Sequence, residues 1–450
     1  QELKRLELEA HEDGFWNDIE RSQANQMRTK QLQNKVHRFE KLVSTRDDLL
    51  ALIDMGNEMD DASLLPELEE GFADLADFFE GLAAIEKSHE NRYQLLIERI
   101  ENDEVFRRTL TGFAAAHPGK TLVLVSCGDN YTGLMARSRA ALEPFYKFAC
   151  PTPELVEQLD TKEFFYHACR AHGLSYPQTF GCTNQNYKTV ELPFAFPCII
   201  KPSNSVAYWN CRFPHKKKVF VAYSKEEFNA ITAAIYSSSY QDNLVLQEYI
   251  PGDDNCMRVL NCYSGLDHKV KLMALGRPLL EEQTPEGIGN YAAILSIKDE
   301  ELMQRMKAFL EDVGWEGFSN FDMKYDARDG QYKLFEMNPR QGRSSFFVTA
   351  SGYNLAKWLV EDVLEHKDLP LTIATNEVLW SIIPKDVIFK YVRDEALKEK
   401  ARALIKAGKY CQSMQYKPDR NFKHELAFFL NQMNYRKKYK KCFGNKGLHE

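Results

Sequence analysis

The sequence predicts an α+β protein in which an N-terminal α-helical hairpin or bundle and a truncated α/β lobe precede the main body. Three observations predict it. Residues 1 to about 115 keep a three- and four-residue apolar spacing with few glycines, the period of helices packed on one face. Residues 121–125 form a continuous apolar run ending at Ser126-Cys127-Gly128-Asp129, the pattern of a buried parallel strand that opens into a glycine-containing loop. Two alternating runs, 320–325 and 331–337, flank Asp329-Gly330 and read as a β-hairpin. The expected division is a helical segment at 1–85, a partial α/β lobe at 86–155, the body at 156–370, and a C-terminal strand with a basic helical tail at 371–450.

Bulk properties narrow the class. The chain has 450 residues and a net charge of −7, which argues against a generally basic nucleic-acid binder. Its ten cysteines are scattered without a Cys-x-x-Cys pair, so they read as reduced thiols of a cytoplasmic protein and not as a disulfide framework or zinc site. No apolar run reaches the length of a membrane span, and no signal peptide is recognisable. A chain that opens on Gln1 reads as a fragment or as a processed or engineered start.

In the helical segment, Leu32, Val36, Phe39, Leu42 and Val43 mark a long helix, and the period resumes over 64–85. After the strand at 121–125 a helix over 130–140 and a short strand near 146–149 are expected, with no clear strand before Thr121. A helix starts at Asp160-Thr161-Lys162 with an N-cap residue and ends near Gly173. Residues 196–205 read as a buried strand that delivers Lys201 into a loop of small residues, Ser203, Asn204 and Ser205, with a return strand over 216–221. Such a loop makes a flexible flap whose N–H groups can lie over phosphates. The strand at 243–250 breaks at Pro251-Gly252, where backbone groups can meet an adenine edge and the acidic residues beyond can meet a ribose or an ammonium. Paired strands are expected at 256–263 and 270–275, with Arg258 and Lys271 near their polar faces, then a helix over 300–313 capped by Gly314.

The hairpin carries the chemistry. It puts Asp322 and Glu336 on neighbouring strands, and with Asn338 they offer hard oxygen ligands suited to Mg²⁺. Arg340 follows as a planar fork for a phosphoryl or carboxylate group. At the C-terminus the apolar run 426–430 precedes the cationic run 435–441, which reads as a packed helix with a solvated basic end, or as a weak contact with an anionic membrane surface or a phosphorylated substrate.

Lys162 at a helix start, Lys201 before a flap, Gln247-Glu248-Tyr249-Ile250 and the Asp322…Glu336-Met337-Asn338-Pro339-Arg340 hairpin follow one another in the order found in ATP-grasp ligases, which the chain resembles from about residue 120 onward. Residues 200–205 and 380–385 are most similar to D-aspartate ligase and related carboxylate–amine ligases. The resemblance implies two α+β subdomains, ATP and Mg²⁺, and amide formation through an acyl phosphate, with D-aspartate and a peptidoglycan precursor as substrates. It implies that Lys162 and Lys201 hold phosphates, Ser203 and Ser205 the flap, Gln247, Glu248 and Ile250 the adenine, Asp253 or Asp254 the ribose, and Arg258 and Arg340 the acyl-phosphate oxygens.

Residues about 6–72 resemble the N-terminal helical domain of bacterial peptide chain release factor 2, through Asp13-Gly14-Phe15-Trp16-Asn17-Asp18, Lys41-Leu42-Val43, Ile53-Asp54-Met55-Gly56-Asn57-Glu58 and Leu65-Pro66-Glu67-Leu68. The chain has no Gly-Gly-Gln or Ser-Pro-Phe tripeptide, so release activity is not expected. The alternative expectation is a ribosome-binding helical module fused to a catalytically impaired, nucleotide-binding ATP-grasp body.

Overall fold

The structure, a computed structural model, describes residues 102–443 except 161, 218, 285, 286, 288 and 416–420, together with 6, 9, 10, 25–30, 32 and 33. Residues 1–100 and 101–450 form two compact units. In the first, residues 25–30 are helical and Asn25 Nδ2 donates to the Leu6 carbonyl at 3.1 Å. The helix expected at 64–85 and nearly all of the release-factor-like stretch lie outside the described residues.

The second unit opens with the helix Asp103–Ala116, capped by Asn102, whose side chain accepts from the Glu104 and Val105 amides. Strands β1 (Leu122–Val123) and β2 (Tyr146–Lys147) then pair in parallel as a two-stranded sheet, with the helices Asp129–Arg137 and Arg139–Leu142 between them. The strand expected at 121–125 is real but short. It is also not buried: Leu122 and Val123 are only half-covered and Val125 is exposed, because a two-stranded layer cannot enclose both faces.

The lobe is nonetheless tied to the body. Gly317 adopts a φ of +90°, and a Cβ there would sit 2.8 Å from the Ala149 carbonyl oxygen, so only glycine lets the two backbones approach. Glu316 Oε1 accepts from the Cys150 amide at 2.9 Å and from Arg139 Nη2 at 3.2 Å.

Two helices follow, Pro153–Asp160 and Lys162–Ala171; the first was not expected. A four-stranded antiparallel sheet comes next, in the order β3 (Thr179–Cys182), β6 (Leu244–Glu248), β4 (Cys198–Pro202), β5 (Phe220–Ala222). Its core is aromatic, with Tyr208, Phe228, Tyr240 and Leu246 buried. The flap between β4 and β5 contains a short helix, Ser205–Asn210, because the Asn204 side chain caps it by accepting from the Ala207 amide.

The larger sheet has eight strands. β7 (Met257–Ser264), β8 (Val270–Glu281) and β9 (Tyr291–Ile297) lie at its centre, with β10 (Gly317–Asp326) and β11 (Gln331–Asn338) on one side. β12 (Thr372–Ile373) pairs with β8, and β13 (Leu379–Ser381) and β14 (Tyr410–Gln412) extend the side beyond β9. Side chains alternate between two cores. Leu260, Phe321 and Met323 face the helix Glu300–Asp312 with Phe309 and Trp315, whereas Val259, Tyr263 and Ile294 face Phe347 and Trp380. Covered on both faces, the central strands bury Arg258 and Lys271, contrary to the expectation of polar faces there.

Chain end and sheet meet through the helix Phe422–Cys442. Gln432, Tyr435 and Tyr439 make its buried stripe, while Phe429 and most of the lysines that follow are exposed. The apolar run at 426–430 is thus only partly covered, and the basic end is solvated. Among the described residues no helix is long and apolar enough to cross a membrane.

Candidate active site

The β10–β11 register places Asp322 directly opposite Glu336, and the next pair is Met323 with Leu334. Phe335 is therefore an extra residue, a bulge that breaks the ladder and turns its carbonyl outward. That carbonyl accepts from Lys162 Nζ at 3.3 Å and from the Tyr166 hydroxyl at 3.1 Å. Lys162 Nζ also lies 3.3 Å from Glu336 Oε2. Burial works against the lysine's charge, but Glu336 and Tyr166 outweigh it and hold its pKa above the usual value.

Asp322 accepts from the Tyr291 hydroxyl at 2.8 Å and from Asn338 Nδ2 at 3.2 Å. Removal from water, reinforced by the charge of Glu336, pushes its carboxyl up to about 7. Burial and then Asp322 raise the Tyr291 phenol well above its ordinary value. Two carboxylates held together with too little positive charge fit a hard divalent cation, which would reverse that balance. Among the described residues no group of three or more His, Cys, Asp or Glu is arranged for a metal, so the donor set is this pair plus whatever oxygens a substrate brings. Asn338 turns its amide nitrogen to Asp322 and its oxygen to Arg340 Nη2, 3.1 Å away, so that oxygen would reach a cation only after a half-turn of the amide.

A cleft of about 770 Å³ is lined by residues of both sheets, among them Lys162, Lys201, Ser203, Gln247, Glu248, Ile250, Asp253, Asp254, Asp322 and Glu336. Gln247 is buried and organises the lysine: its Oε1 accepts from Lys201 Nζ at 2.9 Å while its Nε2 donates to Tyr166 and Thr179. The Glu248 carboxylate accepts from Arg328 at 2.7 Å and from the Gln178 amide at 3.2 Å, so its side chain is engaged.

Other expected residues are used differently from the sequence reading. Ser203 gives its amide to the Asn243 carbonyl, leaving the hydroxyl and not the N–H for a ligand. Ser205 begins the capped helix, and its side chain is not among those described. Asp254 is buried with Oδ2 on the Glu281 amide, whereas Asp253 is exposed to the cleft. Arg258 is not among the lining residues: its Nη1 is spent on the Asn255 and Met257 carbonyls and its guanidinium lies 5.8 Å from the Tyr332 ring centroid. Arg340 is not a lining residue either, and it pairs with Asp129 at 2.9 Å.

Sequence reasoning missed Tyr291, Asp129 and a wall formed by Tyr391, Arg393 and Phe443. The apolar run that begins at Tyr291 carries a strand signal that could have exposed the first. Nothing local marks Arg393 as facing a cleft whose other walls come from residues 162–336.

No family model matches the chain. It is 40% identical over 362 residues to D-aspartate ligase of Enterococcus faecium (strain Aus0004), covering 77% of this chain and 86% of the relative. It is 26% identical over 230 residues to the carbamoyl phosphate synthase large chain of Vibrio parahaemolyticus, covering 46% of this chain and 19% of the relative. Among solved structures, an L-amino acid ligase from Bacillus licheniformis aligns with a TM-score of 0.43 and 14% identity over 59% of this chain and 61% of the other. N5-carboxyaminoimidazole synthetase from Staphylococcus aureus complexed with ADP aligns with a TM-score of 0.45 and 11% identity over 62% and 68%. Identity of 40% over most of both chains means that this chain belongs to the D-aspartate ligase family, ATP-dependent carbon–nitrogen ligases of the ATP-grasp fold.

Proposed function

We propose that the protein joins the β-carboxylate of D-aspartate to an amine carried by a peptidoglycan precursor, in the cytoplasm, where its ten free thiols would stay reduced. The carrying observation is the Asp322–Glu336 pair with Lys162 Nζ beside it in a cleft large enough for a nucleotide. A carboxylate oxygen attacks the γ-phosphorus of ATP and ADP leaves; the amine then attacks the acyl carbon, phosphate leaves with the bridging oxygen, and the nitrogen loses a proton. Lys162 and Lys201 hold the phosphates, the strand edge from Glu248 to Ile250 meets the adenine, and Asp253 meets the ribose in preference to Asp254. Asp322 and Glu336, joined by Asn338 once its amide turns, would hold Mg²⁺, which would supply positive charge to offset that of the transferring phosphoryl group. Arg340, braced by Asp129, faces the acid, while Arg258 steadies β7. The division at residues 85, 155 and 370 separates helical segment, front lobe, ligase body and C-terminal part.

Heavy-oxygen labelling tests the route. D-aspartate labelled with ¹⁸O in its β-carboxylate should yield phosphate carrying one labelled oxygen. Unlabelled phosphate released alongside amide product would contradict an acyl phosphate.

A further inference from the structure

The cleft holds two polar groups that neither the nucleotide nor the acid accounts for. Gln283 lines it and is 2% exposed. Its Nε2 donates to the Glu281 carbonyl at 2.9 Å, but its buried Oε1 has no hydrogen-bond partner among the described residues. A buried amide oxygen without a donor is costly, and a ligand N–H in the cleft would satisfy it. Arg393 lines the same cleft, exposed, with its guanidinium 5.8 Å from the centroid of the Phe443 ring and no carboxylate partner among the described residues. The other cations of the cleft are engaged: Lys162 with Glu336, Lys201 with Gln247, and Lys324 on the Gly252 carbonyl.

The two groups belong to one wall. The Glu281 carbonyl accepts from both Gln283 Nε2 and the Tyr439 hydroxyl, the latter at 2.6 Å. The Tyr439 ring lies 6.4 Å from that of Phe443, which packs on Tyr391 at 4.5 Å and beneath Arg393. The end of β8 and the C-terminal helix are thus joined around one carbonyl.

We propose that Gln283 and Arg393 form the subsite of the amine-bearing reactant, Gln283 Oε1 accepting an N–H and Arg393 gripping an anionic group on the same molecule. This rests on the ligase reading above, in which Lys162 and Lys201 serve the nucleotide and Arg340 the acid. The amine substrate is then an amino compound that also carries a carboxylate or phosphate.

The test compares lysine with cadaverine, the same diamine without the carboxylate, and with hydroxylamine, a small neutral nucleophile that captures an acyl phosphate. ADP release is followed at saturating Mg·ATP and D-aspartate. The wild type should favour lysine over cadaverine by about tenfold in kcat/KM. Arg393→Ala should erase that preference through the KM for lysine, Arg393→Lys should restore part of it, and Gln283→Met should raise the KM for both diamines. The KM for ATP and the rate with hydroxylamine should hold in all three variants, which also shows that they fold. A wild type that captures hydroxylamine but shows no preference for lysine over cadaverine, an unchanged KM for lysine in Arg393→Ala, or a raised KM for ATP in its place, would overturn the subsite while leaving the ligase reading intact. Absence of any acid-dependent ADP release in the wild type, with hydroxylamine included, would overturn both.

Discussion

Tyr291 and Gln247 act through other side chains, each fixing a residue proposed to hold the metal or a phosphate. The Tyr291 hydroxyl holds Asp322 Oδ1 at 2.8 Å, and losing it leaves Oδ1 unheld, with Asn338 Nδ2 still on Oδ2 at 3.2 Å. Tyr291→Phe should therefore raise the Mg²⁺ concentration needed for half-maximal activity by about five- to tenfold with little change in fold, measured by metal titration of the rate. Gln247 orients Lys201 through a 2.9 Å hydrogen bond, so Gln247→Leu should raise the KM for ATP by about tenfold and leave that for the acid unchanged. The pairing of Asp322 with Glu336 was legible in the sequence because the spacing of a hairpin fixes which residues face one another. The burial of Asp254 on the Glu281 amide, and the engagement of Arg258 with the Asn255 and Met257 carbonyls, were not. Those depend on which amide or carbonyl the folded backbone sets opposite, and for Asp254 that amide lies 27 residues along the chain.

Hairpin stability has its own pH signature. The Arg328 guanidinium bonded to Asp326, which is 1% exposed, holds that carboxyl below its ordinary value despite burial. A depressed folded-state pKa stabilises fully above the unfolded value and is lost as pH falls through the folded one. Asp326→Asn should thus lower the urea midpoint at pH 7, and the gap from wild type should close as pH drops below about 4. Gly317 makes a second prediction for this strand. With φ at +90° and Ala149 O in the way, Gly317→Val should cost at least about 2 kcal/mol in urea unfolding by loosening the front lobe from β10. Elements with strong periodicity, such as β4, β6, β10, β11 and the helix Glu300–Asp312, were readable in advance. β9 also carries a readable apolar run, but the capped helix Ser205–Asn210 does not announce itself, because a loop of small residues looks flexible until Asn204 caps it.

Across the second unit the cleft is a joint product of two sheets and the chain's C-terminal part. The expected packed helix with a solvated basic end is present at the C-terminal side, but nothing in its sequence shows that Phe443, just after it, lines the cleft. The grip of the front lobe on the body through Glu316, Gly317 and the Asp129–Arg340 pair was not legible. This architecture makes one central claim: the carboxylate pair on the hairpin serves ATP-driven activation of an acid. The most direct measurement is phosphate release from Mg·ATP with and without D-aspartate and an amine, in wild type and in Glu336→Ala. Release that requires D-aspartate and falls at least about a hundredfold in the variant is the expected result. Release that ignores D-aspartate, or that survives unchanged in Glu336→Ala, would contradict the account.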